Sequence, residues 1–196
     1  RDAQESRGLG DVYKRQPFLG VISKFKADTA SEEIIVHSNP KSNVAEGFRT
    51  IRTNLLFSFP DVEKKHILIT SALPRDGKTL QAANIAVSFA QMGKKVLLID
   101  ADMRKARLHE IFNLERSPGL SEYLAGKESG PQPTEITGLE VFTSGRTSPN
   151  PAELLGSKRM KELLESERAK DDFDMIIIDS PPILSADRIA ASATES

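Results

Sequence analysis

Short apolar runs alternate with helical repeats of apolar residues along most of this chain. Runs with the length and composition of buried strands occupy residues 66–70, 95–100, 139–143 and 174–179. Apolar and small residues recur at helical spacing between and around them, over residues 79–92, 105–112, 119–126 and 151–167, the last forming either one helix or two that separate at Gly156. Strands that alternate with helices predict an α/β fold of three layers, with a mostly parallel sheet covered by helices on both faces.

A further amphipathic helix is predicted upstream of the first run. Asn43 is placed to cap its start, with Glu46 three residues on as the capping partner. The helix is expected to end near residues 59–60, and its apolar stripe consists of Val44, Phe48, Ile51 and Leu55. Two shorter predictions are an edge strand at residues 34–36 and a proline-containing loop at residues 130–133.

The composition excludes several classes of function. The 196 residues are enough for one domain with a buried core. Lys and Arg number 27 against 28 Asp and Glu, so the charge balance disfavours nucleic acid as a partner. Cysteine is absent, which removes thiolate metal sites and cysteine nucleophiles. No apolar run reaches the roughly 18 residues of a membrane span, and we expect a domain of cytoplasmic type.

The segment after the first run, ALPRDGKT at residues 72–79, has the pattern of a phosphate-binding loop. Gly77 permits a tight turn, and successive backbone N–H groups there point at phosphate oxygens. Lys78 reaches the β- and γ-phosphates, and the Thr79 hydroxyl ligates Mg²⁺. The predicted nucleotide-binding residues are Ala72, Leu73, Pro74, Arg75, Asp76, Gly77, Lys78, Thr79 and Leu80.

Acidic residues end two of the later apolar runs. Asp179 ends the last run and fits the second magnesium-holding carboxylate of nucleotide hydrolases, although an acid in this position is also a common turn former or helix cap. Asp100 and Asp102 are two residues apart, so both side chains can face the nucleotide if the segment is extended. Such a pair can hold the water shell of a metal with one member and accept a substrate proton with the other.

These segments together resemble the bacterial tyrosine kinase (BY-kinase) family of capsule and exopolysaccharide assembly. Residues 72–79 are similar to its Walker A loop, residues 96–104 (VLLIDADMR) to its acidic A-prime motif, and residues 176–179 to its Walker B strand. The family's E-x-x-R-x-x-R helix corresponds to Glu46, Arg49 and Arg52. SPNPAELL at 148–155 and DSPPILSAD at 179–187 also resemble it, and the likeness covers residues 17–188.

The resemblance implies an ATP- and Mg²⁺-dependent protein-tyrosine autokinase that regulates polysaccharide synthesis and export. Lys78, Asp100 and Asp102 would be the catalytic residues, with Asp100 as the base for the tyrosine hydroxyl. Thr79, Asp102 and Asp179 would hold the metal.

The resemblance also implies partners. Glu46, Arg49 and Arg52 would form the interface in a ring of identical subunits. The alternative is an ordinary ion pair between Glu46 and Arg49 within the helix. The other implied partner is a membrane-embedded polysaccharide co-polymerase domain, fused or separate. The parent protein would then be tethered to the inner membrane.

A division of the chain follows from the same likeness. Residues 1–16 have no hydrophobic period and are interpreted as an artefactual or disordered segment. Residues 17–41 form a linker of juxtamembrane type. Residues 42–196 form the P-loop kinase domain, which is expected to be incomplete on its C-terminal side because an open parallel sheet would need further strands.

Two departures from the family keep two alternatives open. Arg75 and Asp76 stand where the family has Gly-Glu, and the C-terminal tyrosine cluster is missing. Tyr123 is interpreted as a packing residue and not as a phosphoacceptor. The first alternative is a ParA- or MinD-like ATPase, but that class has a lysine early in its loop where this chain has Leu73. The second is a catalytically weak nucleotide-binding regulator of polysaccharide export.

Overall fold

A computed structural model describes residues 17–58, 65–71, 77–169 and 172–181. The interpretation of residues 1–16, the predicted loop residues Ala72, Leu73, Pro74, Arg75 and Asp76, and residues 182–196 lie outside the described residues. The helical segments are α1 (Ala30–Glu33), α2 (Ile35–Ser38), α3 (Asn43–Ser58), α4 (Lys78–Ala90), α5 (Leu108–Ile111), α6 (Leu120–Leu124), α7 (Pro151–Leu155) and α8 (Lys158–Ala169). The strands are β1 (Lys65–Ile69), β2 (Val96–Asp100), β3 (Gln132–Pro133), β4 (Leu139–Phe142) and β5 (Met175–Asp179).

The strands form one sheet in the order β1-β5-β2-β4-β3. The pairs β1–β5, β5–β2 and β2–β4 are parallel. The two-residue β3 runs antiparallel to β4. The mostly parallel sheet predicted from the sequence is therefore confirmed. Because parallel strands end at the same edge, Ile69, Asp100, Phe142 and Asp179 lie along one edge of the sheet.

Each central strand sends alternate side chains into two separate cores. On one face, Val96 and Leu98 of β2 pack with buried residues of α3 and α4, among them Phe48 and Phe89. On the other face, Leu97 and Ile99 pack with buried residues of α6, α7 and α8. All five residues of both β2 and β5 are buried, which is why these strands read as continuous apolar runs. The three-layer prediction is confirmed by these two cores.

Residues 34–36 do not form the predicted edge strand. Ile34 is the C-cap of α1 and the N-cap of α2, which begins at Ile35. The backbone of Val36 is satisfied by side chains of the neighbouring helix instead of by a strand, since its N–H donates to Asn84 Oδ1 at 3.1 Å and its carbonyl accepts from Gln91 Nε2 at 3.2 Å. Ile34 and Val36 are buried, but the backbone partners of Val36 are side chains and not a sheet.

The cap of α3 lies one residue earlier than predicted. Asn43 is the first helical residue, and the Ser42 hydroxyl accepts the backbone N–H of Ala45 at 3.1 Å. The predicted stripe is confirmed, with Phe48 and Leu55 buried and the other two residues packed partly buried against the same core. The helix ends at Ser58, close to the predicted end.

Two elements differ from their predictions, and a third resolves an alternative that the sequence left open. The helix predicted over 105–112 is the single turn Leu108–Ile111, and the loop at 130–133 contains β3. Residues 151–167 form two helices, α7 and α8, with Gly156 as the C-cap of the first. Among the helices that the structure describes, none combines the length and the apolar character required to cross a bilayer.

Candidate active site

The start of α4 brings a lysine and a threonine to the carboxyl edge of the sheet. Gly77 immediately precedes the helix with φ +75° and ψ 17°, a left-handed conformation that favours glycine. Lys78 is the first helical residue, and Thr79 is buried. The first N–H groups of an α-helix have no partner within the helix, and they carry its positive dipole end. This local geometry suits a phosphate group at Gly77 and Lys78.

The Lys78 ammonium lies between two carboxylates. Its Nζ is 3.1 Å from Asp102 Oδ2 and 3.6 Å from Asp179 Oδ1, and only 11% of the Lys78 side chain is exposed. The three residues come from α4, from the loop after β2 and from the end of β5. The fold therefore assembles residues that are 24 or more positions apart in the chain into one cluster of charge.

The register of the two central strands places a third acid in the same cluster. Asp100 and Asp179 are paired neighbours on β2 and β5, and the N–H of Ala101 donates to the Asp179 carbonyl at 2.9 Å. Neighbouring strands lie about 4.8 Å apart, so the two carboxylates start from adjacent positions. The structure thus brings together Lys78, Thr79, Asp100, Asp102 and Asp179 of the predicted site.

Asp100 is fully buried and held by backbone groups. Its Oδ1 accepts the N–H of Asp102 at 3.2 Å, and its Oδ2 accepts those of Arg107 at 3.3 Å and Leu108 at 3.2 Å. Burial raises the pKa of Asp100 to about 7, and the nearby charges of Asp179 and Asp102 add to that effect while the bonds from Leu108 and Asp102 oppose it. A carboxylate with a pKa near neutrality is suited to exchange a proton at physiological pH.

Asp102 turns toward the lysine, whereas Asp100 turns toward the loop that follows. Besides its contact with Lys78, Asp102 accepts the N–H of Lys105 through Oδ1 at 3.0 Å. The two acids of the A-prime motif consequently occupy different surroundings, one fully buried in the sheet and one beside the ammonium. The extended-chain argument from sequence placed both near the nucleotide but did not distinguish them.

The Asp179 carboxylate supports the predicted metal site. Both its oxygens are buried, and neither accepts a hydrogen bond from the residues that the structure describes. Burial raises the pKa of Asp179, and the Lys78 ammonium and the Thr79 hydroxyl counteract this. A buried carboxylate with unused acceptors beside a threonine hydroxyl fits a cation, since buried acceptors without a hydrogen-bond partner cost free energy.

Magnesium does not need an enclosing set of protein ligands. Within the described ranges, no three His, Asp or Glu side chains form a group that could by itself hold a metal ion. Mg²⁺ in nucleotide sites usually takes one or two carboxylates together with phosphate oxygens and water. Thr79, Asp102 and Asp179 are therefore compatible with a Mg²⁺ that arrives with a nucleotide.

The predicted interface residues lie on α3 and form contacts within the chain. Arg49 pairs with Glu46 at 2.8 Å and also donates to the Pro40 carbonyl. Arg52 donates through Nη1 to the Ser88 carbonyl of α4 at 2.8 Å, and burial lowers its pKa. Glu46 remains 69% exposed. The structure thus shows the intrahelical pair, and an interface role for these residues stays a prediction.

Sequence reasoning missed a carboxylate that organises the loops beyond β4. Glu122 is 9% exposed and accepts hydrogen bonds from the Gly119 N–H at 2.9 Å, from the hydroxyls of Ser117 and Ser121, and from the Arg146 N–H. Burial alone would raise its pKa, but these hydrogen bonds outweigh it and lower the pKa to about 2. The available signal was the position of Glu122 as N3 of a helix after Gly119.

Glycine at two positions allows these loops to approach. A Cβ on Gly145 would clash with the Glu122 carboxylate, and one on Gly119 would clash with the Gly145 backbone nitrogen.

Tyr123, on α6, packs edge-on against Phe142 with ring centroids 5.7 Å apart and lies under the Arg159 guanidinium at 5.2 Å. Its predicted role as a packing residue is confirmed.

Comparison with known proteins identifies the family. A family model described as "AAA domain" matches residues 64–194. The tyrosine-protein kinase YwqD of Bacillus subtilis is 48% identical over 166 residues, which are 83% of this chain and 69% of YwqD. The crystal structure of the chimerical protein CapA2B2 superposes with a TM-score of 0.81 at 39% identity, over 93% of this chain and 80% of that one. The chain belongs to the bacterial tyrosine kinase family. The resemblance read from the motifs is thereby confirmed.

Members of the family differ in how much of the protein this domain represents. The tyrosine-protein kinase etk of Escherichia coli K12 is 41% identical over 149 residues, but these are only 20% of etk. In that protein the kinase region is therefore joined to a much longer chain, whereas in YwqD it makes up most of the protein.

The positioning ATPases share the nucleotide-binding fold at a greater distance. The septum site-determining protein MinD of Pyrococcus horikoshii, complexed with Mg-ADP, gives a TM-score of 0.55 at 26% identity over 66% of this chain and 54% of that one. Both values are lower than those of the tyrosine kinase structure. The P-loop fold prediction is confirmed. This chain matches the MinD structure less well than it matches the tyrosine kinase structure.

Proposed function

We propose that this chain is the catalytic domain of an ATP- and Mg²⁺-dependent protein-tyrosine kinase. The cluster of Lys78, Asp102 and Asp179, with Asp100 beside it, is the observation that supports this most directly. An ammonium between two acids at a helix N-terminus suits a nucleotide triphosphate with its metal, and an additional buried acid suits proton transfer. A buried acid beside this cluster whose pKa is raised toward neutrality favours proton transfer over nucleotide binding alone.

In the proposed reaction, Lys78 binds the β- and γ-phosphates and leaves its contacts with Asp102 and Asp179. Thr79, Asp102 and Asp179 would hold Mg²⁺, which would supply positive charge against the negative charge that develops on the phosphate oxygens. Leu80 and the loop residues Ala72, Leu73, Pro74, Arg75, Asp76 and Gly77 complete the proposed nucleotide-binding segment. The backbone N–H groups at the start of α4 orient the phosphates for in-line transfer.

Asp100 is proposed to accept the proton of the tyrosine hydroxyl as that oxygen bonds to the γ-phosphorus. The bond from the γ-phosphorus to the bridging oxygen breaks, and ADP leaves. A carboxylate has about four acceptor positions, and three N–H groups occupy three of those on Asp100. The fourth position, on Oδ1, is the one that we propose accepts the hydroxyl proton.

The test is phosphotyrosine formation on a tyrosine-containing acceptor peptide with ATP and Mg²⁺. We expect activity in the wild-type protein, loss of nucleotide binding and activity in Lys78→Met, and retained binding with lost transfer in Asp100→Asn. ATP hydrolysis without phosphotyrosine would contradict the proposal and favour a positioning ATPase. Nucleotide binding with neither reaction would favour the regulator.

The biological setting is proposed from the relatives. YwqD and etk are tyrosine-protein kinases by name, and etk contains a long additional region. We propose that this domain acts in capsule or exopolysaccharide synthesis, with a membrane-embedded co-polymerase domain, fused or separate, that tethers it to the inner membrane. Fractionation of the full reading frame into membrane and soluble extracts tests the tether.

A ring of subunits is proposed through Glu46, Arg49 and Arg52. Glu46 is the suitable probe because it is exposed, whereas Arg52 supports the contact between α3 and α4. Light scattering on the protein encoded by the full reading frame should show a smaller assembly for Glu46→Ala than for the wild type, with unchanged thermal stability.

A further inference from the structure

A glutamate upstream of the nucleotide-binding elements contacts the loop that holds Asp100. Glu33 ends α1, and both its carboxylate oxygens accept from Nη2 of Arg107, at 2.7 Å and 3.0 Å. The two residues are 74 positions apart, so the pair is formed by tertiary structure alone. Arg107 is the residue whose own backbone N–H donates to Asp100.

The backbone of Glu33 is fixed independently by the helix that begins with Lys78. Asn84 of α4 is fully buried, and its Nδ2 donates to the carbonyl of Glu33 at 2.9 Å. The same amide group donates to the carbonyl of Leu80 and accepts the N–H of Val36. Three hydrogen bonds therefore fix the orientation of the Asn84 side chain. Glu33 therefore bridges α4 at its backbone and the loop after β2 at its side chain.

The Arg107 side chain has a competing partner on its own helix. Glu110 Oε2 lies 3.8 Å from Arg107 Nε, at i,i+3 spacing. Without Glu33, the guanidinium would be left with this local pair, which places no constraint relative to α4. The contact with Glu33 is shorter and involves the less exposed carboxylate, 20% against 59% of the side chain.

We propose that Glu33 is a positioning residue, which holds Arg107 and thereby the two N–H groups, of Arg107 and Leu108, that orient Asp100. Ion pairs of this exposure contribute little to global stability. Their effect on a local arrangement is nevertheless measurable where a catalytic group depends on it. The consequence for catalysis rests on the proposed kinase function, whereas the consequence for the loop does not.

Glu33→Ala and Glu110→Ala form a matched pair of variants, because each removes one carboxylate from Arg107. We expect Glu33→Ala to lower kcat about two- to fivefold with little change in KM for ATP, a size set by one partly exposed ion pair. Glu110→Ala should leave both parameters near those of the wild type. The charge exchange Glu33→Arg with Arg107→Glu should restore part of the lost kcat.

Amide hydrogen exchange on the nucleotide-free protein tests the loop without relying on activity. The amides of Arg107 and Leu108 should exchange faster in Glu33→Ala than in Glu110→Ala or the wild type, and more slowly again in the charge exchange. Unchanged exchange at these amides in Glu33→Ala would overturn the inference even if the protein is an active kinase. Faster exchange without phosphotyrosine in the wild type would instead refute the proposed function and support the positioning role.

Discussion

Replacing Glu122 by glutamine should destabilise the protein by about 3 kcal/mol at pH 7. The pKa of Glu122 is about 2 in the folded protein, against an ordinary value of 4.5. A difference of roughly 2.5 pKa units corresponds to about 3 kcal/mol that favours the ionised folded state. Glutamine keeps the shape but loses the charge and turns an amide N–H₂ toward donors such as the Gly119 N–H.

The sign of the pH dependence follows from the depressed pKa. The contribution is fully present above about pH 4.5 and is lost as the pH falls through about 2. At about pH 3 it should be less than half its value at neutral pH. The Glu122→Gln variant has no carboxyl group to titrate at this position, so the stability difference between the two proteins should narrow on acidification.

Urea unfolding at pH 7 and at pH 3 measures this difference. Glu128→Gln is the control, because Glu128 is exposed in the same part of the chain. We expect the control to change the free energy of unfolding by less than about 0.5 kcal/mol. The reasoning is refuted if Glu122→Gln behaves like this control, or if its stability difference from the wild type is the same at both pH values.

Three further predictions concern the backbone and the central acid. Gly145→Ala should lower the free energy of unfolding more than Gly93→Ala, although both glycines have positive φ. A Cβ at 145 clashes with side-chain oxygens of residues 121 and 122, whereas one at 93 meets nothing. Equal losses in urea unfolding would contradict the close approach. Ser42→Ala should cost about 1 kcal/mol and Asn43→Ala much less, since Ser42 caps α3; the reverse order would restore the cap expected from the sequence. The pKa of Asp100 is raised to about 7, so in metal- and nucleotide-free buffer the stability of the wild type relative to Asp100→Asn should fall as the pH rises from about 4 to about 7; a pH-independent difference would show that this carboxyl is not perturbed.

The apolar pattern determined the architecture because the burial of each central strand or helix is recorded in its own residues. Residues 95–100 and 174–179 are continuous apolar runs, and they form strands buried on both faces. The stripe of α3 likewise follows from spacing alone. The site residues could be found for a related reason. Parallel strands end at one edge, so acids that follow two such strands lie near the loop that follows a third.

Tertiary contacts decided what the local pattern left undetermined. Residues 34–36 have the apolar character of a strand, but Asn84 and Gln91 provide the hydrogen bonds of Val36, and the backbone turns into a helix. A side-chain hydrogen-bond partner from another element leaves no trace in the local sequence. The same holds for the division of labour between Asp100 and Asp102, which depends on where Lys78 and the N–H groups of residues 107 and 108 lie.

The sequence by itself determined the alternation of the four longer strands with helices, the two-sided core and the identity of the charged cluster. Only the tertiary structure decided the surroundings of each charge. Burial raises the pKa values of Asp100 and Asp179, whereas converging donors lower that of Glu122. The physical reason is that solvation and hydrogen bonding are set by every element around a group. Residue type and spacing record only the element to which the group belongs.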